Sequence, residues 1–172
     1  DALNFETLDL EEQVAHVVAN IAWDIVQANA RVEIDGALPR IWGNGPLIMQ
    51  LLQNLVGNAI KYNRSDHPEV RLSWSATDNG CAIRVSDNGI GIDEKHTQKI
   101  FAPFQRLHSA DDYAGTGLGL ATCVKIAEGH GGKLTCASEL GRGTVFSVEF
   151  PLTILNAPTR VTEPKQRQTG AP

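Results

Sequence analysis

The sequence has little of what a disulfide scaffold, a membrane protein or a nucleic-acid binder needs. Its 172 residues include three cysteines, Cys81, Cys123 and Cys136, an odd number with no C-x-x-C pair. That pattern fits reduced, partly buried thiols better than a disulfide framework or a zinc site. No apolar run approaches the ~20 residues of a membrane helix, and the start Asp1-Ala2-Leu3-Asn4 is not a signal peptide. Positive charge is not in excess, since 15 Lys and Arg against 20 Asp and Glu leave a net charge of -5. A phosphate backbone has no general electrostatic attraction to such a chain, so neither nucleic acid nor direct membrane contact is expected. The expected compartment is cytoplasmic, with any membrane anchor belonging to a parent protein outside these residues.

What is there suffices for one domain with a real core, because 42% of the residues are hydrophobic. Leu8, Leu10, Val14, Val17, Val18, Ile21, Ala22 and Ile25 recur at three- and four-residue spacing, which predicts an amphipathic helix from about 9 to 29. Short β-like runs follow at Arg31 to Ile34 and Arg40 to Trp42. Asn44-Gly45-Pro46 then supplies a cap and a first-turn proline for a helix to Tyr62. Val70 to Ala76 and Cys81 to Val85 are β-rich and joined through Asn79-Gly80, a strong hairpin signal. A short helix from Asp93 to about Ile100 precedes an irregular stretch, Ala102 to Gly117, long enough to be a binding loop. Leu118 to Glu128 reads as a helix, and Lys133 to Ala137 and Thr144 to Phe150 as strands. From about Thr153 onward the chain mixes Pro, Thr, Gln and Arg with little apolar content, which predicts a disordered tail or linker. This order is not a regular βαβ alternation and predicts a two-layer α/β sandwich, a mixed sheet with helices on one face.

Four segments carry polar groups that could do chemistry. Asn54, Asn58 and Lys61 lie at i, i+4 and i+7, on one helix face beside the apolar arc of Leu51, Leu55 and Ala59. An amide oxygen from Asn58 together with phosphate oxygens would suit a hard cation such as magnesium, although a solvated helix face is the plainer reading. Asp87-Asn88-Gly89-Ile90-Gly91-Ile92 follows an apolar strand. Its carboxylate is placed either to accept from an exocyclic amine or to bond its own turn. Gly115-Thr116-Gly117-Leu118-Gly119-Leu120 opens a helix, whose free N–H groups and dipole attract phosphate. It is neither a Walker loop nor a dinucleotide fingerprint. Phe101, Phe104 and Arg106 read as loop anchors with a phosphate-reaching guanidinium, or as two core aromatics and a surface arginine. Gly141-Arg142-Gly143-Thr144 makes a tight turn, with Thr144 directed at a ligand or simply opening the strand.

In this order and spacing the motifs resemble the catalytic domain of sensor histidine kinases, within the wider ATPase superfamily of gyrase, the mismatch-repair ATPases and a heat-shock chaperone. Gln53 to Tyr62 resembles the asparagine box, Asp87 to Ile92 the first glycine box, Phe101 to Arg106 the phenylalanine box and Gly115 to Leu120 the second glycine box. The resemblance covers roughly residues 4 to 152 and implies a Bergerat-type ATP-binding fold over 1–152, with 153–172 as tail or linker. It implies ATP and magnesium as cofactors, with Asp87 on the adenine amine, Asn58 on the metal and Asn54 supporting that site. Lys61 and Arg106 would offset phosphate charge, and Asn54, Lys61 and Arg106 would form the catalytic set. Tyr62 would line the nucleoside pocket, and Gly89, Gly91, Ile92, Phe104 and Thr144 would also belong to the nucleotide site. Gly115, Thr116, Gly117, Leu118, Gly119 and Leu120 would lie against the phosphates, with the lid from Ala102 to Gly117 closing on ATP.

Gyrase-like relatives carry a glutamate base where Asn54 stands, and an amide cannot serve as that base, so slow hydrolysis is expected and transfer to a protein side chain is more natural. None of His16, His67, His96, His108 and His130 precedes an acidic residue on a helical hairpin, so the phosphoacceptor is expected on a separate dimerisation domain of the same kinase. A response regulator would be the downstream partner. The alternatives are a nucleotide-dependent interaction module and a serine kinase of the anti-sigma type.

Overall fold

The structure, a computed structural model, describes residues 4–105 and 117–156. Strand β1 (Glu6–Asp9) leads directly into α1 (Leu10–Asn20), where the Asp9 carboxylate accepts from the backbone N–H groups of Glu11 and Glu12. Helix α2 (Ala22–Gln27) continues α1 after a distortion at Ile21, across which the ladder persists through Ile21 N to Val17 O and Ile25 N to Ile21 O, both 3.1 Å. The single helix expected over 9 to 29 is therefore interrupted at Ile21, and no glycine or proline marks the place. After β2 (Arg31–Ile34) and β3 (Arg40–Gly43) comes the long helix α3 (Gly45–Lys61), capped by Asn44, whose Oδ1 accepts from Leu47 N at 3.1 Å. The remaining elements are β4 (Glu69–Thr77), β5 (Gly80–Asp87), α4 (Gly119–Gly129), β6 (Lys133–Glu139) and β7 (Gly143–Pro151).

Five strands form one sheet in the order β2-β4-β5-β7-β6, in which β2 runs parallel to β4 and every other pair is antiparallel. Strand alternation divides its two faces. Val70, Leu72, Ile83, Val85, Phe146 and Val148 point into the core, whereas Arg71, Ser73, Ser75, Arg84 and Glu149 occupy the other face. Helices α3 and α4 cover the apolar face, with Leu51, Leu55, Val56, Cys123 and Ala127 at 2% exposure or less. This is a two-layer α/β sandwich. Truncating a buried leucine such as Leu51 to alanine costs about 2–5 kcal/mol in a core of this kind. Strand β1 pairs with β3 in a separate two-stranded sheet that the sequence reading missed.

His130 joins the two helices over the sheet. Its Nε2 accepts from Asn44 N at 3.0 Å and its Nδ1–H donates to Ile126 O at 2.7 Å, which fixes a neutral tautomer at the cap of α3 and the end of α4. The expected helix from Asp93 to Ile100 is instead two 3-10 turns, Glu94–His96 and Lys99–Phe101. Packing also continues beyond Thr153, since Leu152–Leu155 make a 3-10 turn and Ile154 is 3% exposed. Residues 157–172 of the expected tail lie outside the described residues. Among the described residues no helix is long and apolar enough to cross a membrane.

Candidate functional site

The C-terminal ends of α3 and β5 and the N-terminus of α4 converge on one opening with two adjoining parts. The first, of about 600 Å³, is lined by Asn58, Tyr62, Asp87, Gly91, Ile92, Leu120 and Thr144, with Ile90, Ile100, Gln105 and Phe146 completing it. The second, of about 580 Å³, is lined by Asn58, Lys61, Tyr62, Gly117, Gly119 and Leu120, again with Ile100 and Gln105. Asn58, Tyr62 and Leu120 belong to both, so the two parts share a wall. Ten residues singled out from sequence thus face a single cleft. Ile90, Ile100, Gln105 and Phe146 were missed, although Ile90 lies inside the Asp87 motif itself.

Asp87 sits at the deep end. Its Oδ1 accepts from Gly89 N at 2.8 Å and Thr144 N at 3.2 Å, which leaves Oδ2 as its remaining acceptor. Burial pushes its carboxyl up from the ordinary 3.8 to about 6, against the lowering effect of those two N–H groups. Gly91 has φ +70, and a Cβ there would run into Glu139 O, so this turn requires glycine. Gly89 does not line the cleft but packs under it, where a Cβ would meet Tyr62 O at 2.5 Å.

The shallow end is built from helix termini. Helix α3 presents Asn58 and Lys61 at its last turns, and the Lys61 ammonium lies 4.8 Å from the centre of the Tyr62 ring. Helix α4 begins at Gly119 with no side chain capping it, so first-turn N–H groups and the positive dipole end point toward the opening. Asn54 does not line the cleft. Its Nδ2 donates to Gly119 O at 3.3 Å, tying α3 to the start of α4.

The phenylalanine pair separates. Phe101 packs edge-on against Phe146 with ring centres 6.3 Å apart, whereas Phe104 is 74% exposed, with φ +61, and lies off the cleft. Leu118, 38% exposed, also stands outside it. Phe104 N donates to Gly117 O at 3.1 Å, joining the two flanks of segment 106–116. Arg106, Gly115 and Thr116 lie outside the described residues, as does most of the stretch read as a lid.

A cleft with a carboxylate acceptor deep in an apolar wall and an open helix N-terminus at its mouth fits a ligand with a flat, amine-bearing base at one end and phosphates at the other. Among the described residues no cluster of three His, Cys, Asp or Glu side chains could cage a metal alone. A cation beside Asn58 would therefore draw on ligand and water oxygens, a donor set that suits magnesium. The three thiols take no part, since burial pushes Cys123 and Cys136 up to about 12 and raises Cys81 as well.

Residues 43–154 match the family model described as histidine kinase-, DNA gyrase B- and HSP90-like ATPase. The chain is 38% identical over 144 residues to the phytochrome-like protein Cph1 of Synechocystis sp., covering 84% of this chain and 19% of that protein. It is 34% identical over 142 residues to the phosphate regulon sensor protein PhoR of Pseudomonas aeruginosa, covering 81% of this chain and 30% of that one. Among solved structures, the catalytic domain of histidine kinase ThkA superposes with a TM-score of 0.71 at 30% identity, covering 86% of this chain and 97% of that one. Full-length ShkA in complex with AMPPNP gives 0.76 at 28% identity, covering 93% and 34%. ThkA in complex with the response regulator protein TrrA gives 0.68 at 26% identity, covering 87% and 42%. The chain thus spans only about a fifth to a third of the length of these two curated relatives.

Proposed function

Because the chain belongs to the histidine kinase-, DNA gyrase B- and HSP90-like ATPase family, we propose that it is the ATP-binding catalytic domain of a cytoplasmic sensor histidine kinase region. In this reading it transfers the γ-phosphate of magnesium-bound ATP to a histidine on a separate helical domain. The observation that carries the reading is the shared cleft, in which Asp87 stands at one end and Asn58, Lys61 and the start of α4 at the other. AMPPNP in the ShkA structure and TrrA in the ThkA structure add support, the first for the nucleotide and the second for a response regulator downstream.

In this mechanism the chain positions groups and stabilises charge, which is what phosphoryl transfer asks of a protein. Asp87 Oδ2 accepts from the adenine amine, and Ile90, Ile92, Phe146 and Leu120 exclude water from the base. Lys61 and the first-turn N–H groups of α4 hold the phosphates, and Asn58 would offer an amide oxygen to the metal. Magnesium, when bound, would supply charge neutralisation between phosphate oxygens. Asn54, held on Gly119 O at 3.3 Å, keeps the start of α4 in register with α3, and as an amide it cannot act as the base for water. Incubating the chain with labelled ATP and its helical phosphoacceptor domain tests the reading. Acid-labile, base-stable label on that domain is the expected outcome, whereas acid-stable label would indicate a serine kinase and no label a nucleotide-dependent interaction module.

A further inference from the structure

Asp87 on β5, Thr144 on β7 and Ser138 on β6 are direct cross-strand partners, so one polar row crosses three strands on the core face of the sheet. Asp87 and Thr144 face the cleft, and Ser138 lies behind them without lining it. We propose that Ser138 is a positioning residue that sets which nucleobase the cleft accepts, by committing the Thr144 hydroxyl proton so that Thr144 meets the ligand only as an acceptor. The inference rests on the nucleotide-binding reading above.

Counting protons fixes the direction of each bond in the row. A serine hydroxyl has one proton to donate and two lone pairs to accept with. Three groups surround Ser138 Oγ, namely Ile92 N at 2.8 Å, Gly143 O at 2.8 Å and Thr144 Oγ1 at 2.9 Å. The amide of Ile92 can only donate and the carbonyl of Gly143 can only accept, so the serine proton goes to Gly143 and one lone pair to Ile92. Thr144 can then bond only by donating its own proton to the second lone pair. What remains on Thr144 Oγ1, in a residue 6% exposed on the cleft wall, is lone pairs.

Asp87 reaches the same polarity by another route, with Oδ1 occupied by Gly89 N and Thr144 N and Oδ2 open. The deep end thus offers two acceptors from this row and no donor. An exocyclic amine carries two donors, whereas the carbonyl oxygen that replaces it in hypoxanthine and guanine carries none. The cleft rejects such an oxygen because it would leave buried lone pairs facing lone pairs. By the same hydroxyl, Ser138 ties the glycine turn at Ile92 to the β6–β7 turn at Gly143, so the wall and its polarity are fixed together.

The test compares affinity for ATP and for ITP, in which the exocyclic amine becomes a carbonyl oxygen and the neighbouring ring N1 gains a hydrogen, in the wild-type chain and in Ser138→Ala, Ser138→Thr and Thr144→Val. Ser138→Ala frees the Thr144 proton to turn toward the ligand, and the ATP-to-ITP affinity ratio is expected to fall about tenfold, the size of one mispaired buried hydrogen bond. Ser138→Thr keeps the hydroxyl and should hold the ratio within about twofold of wild type. Equal weakening of both nucleotides in Ser138→Ala, or an unchanged ratio, would reduce Ser138 to a structural prop and overturn the inference. If Ser138→Ala fails to fold, Thr144→Val decides, because loss of an acceptor should weaken ATP more than ITP, and equal weakening overturns the proposal. A wild-type chain that binds neither nucleotide removes the underlying reading and this inference with it, a result distinct from ATP binding with an unaltered ratio.

Discussion

The two ends of the cleft are built by different physics. The deep end stands on paired strands, with Asp87, Thr144 and Ser138 in register and their protons and Asp87 Oδ1 committed to backbone or to a neighbour, so that acceptors alone face the cleft. The shallow end stands on helix termini, the last turns of α3 and the first of α4, where donors face the opening without a side-chain cap. A network whose protons are already committed distinguishes one base from another, because a mismatched group cannot be rescued by rotating a hydroxyl. A set of backbone donors and a point-charge ammonium attracts charge without reading shape. The ends should therefore separate in experiments that compare ATP with adenosine.

The largest effect is expected from Asn58→Asp, which sets a carboxylate against the polyphosphate. ATP affinity should drop by more than about a hundredfold while adenosine binding changes little, as calorimetry with both ligands would reveal. Comparable losses for the two ligands would mean that Asn58 does not face phosphate.

Asp87→Asn replaces the acceptor Oδ2 by a donor and should weaken ATP and adenosine alike, by about a hundredfold. The same substitution should stabilise the ligand-free chain at neutral pH. Because the folded carboxyl titrates at about 6 and its ordinary value is 3.8, the folded state binds the proton more tightly than the unfolded state. Ionised Asp87 therefore opposes folding, by on the order of 3 kcal/mol above pH 6 for a two-unit shift, and this cost fades as pH falls from 6 toward 4. Thermal melts of wild type and Asp87→Asn at pH 7 and pH 5 check the sign, since the stability gap between them should be wider at pH 7.

Acidification moves binding the other way. Between pH 7 and pH 5 most of the Asp87 carboxylate gains its proton, so affinity for adenosine should fall about tenfold. A flat profile would show that the ionised carboxylate does not hold the base. The smallest effect belongs to Lys61→Gln, about fivefold on ATP at low salt, shrinking as ionic strength rises and absent for adenosine.

Much of this site was legible because its signals are local. The amide row of α3 follows from helical spacing, the β4–β5 hairpin from Asn79-Gly80, and Asp87 from its place between an apolar strand and two glycines. What was not legible depends on contacts far apart in sequence. Strand β1 is four mostly polar residues whose strand character comes from pairing with β3, more than thirty positions away. Ser138 sits in Cys136-Ala137-Ser138-Glu139 with nothing nearby to single it out, and its importance appears only once Ile92 and Thr144 surround it. Asn54 shares a face with Asn58 by spacing, yet the approach of α4 turns its amide to Gly119 O and away from the cleft. The interruption at Ile21 has no local signal in the sequence, and no contact of Ile21 explains it.

A single ligand should span both ends of the cleft. A crystal structure of this chain with magnesium and a non-hydrolysable ATP analogue tests it directly. The expected result has the exocyclic amine in hydrogen-bond reach of Asp87 Oδ2 and the phosphates along Asn58, Lys61 and the start of α4. A base seated elsewhere, with Asp87 free of ligand, would contradict it.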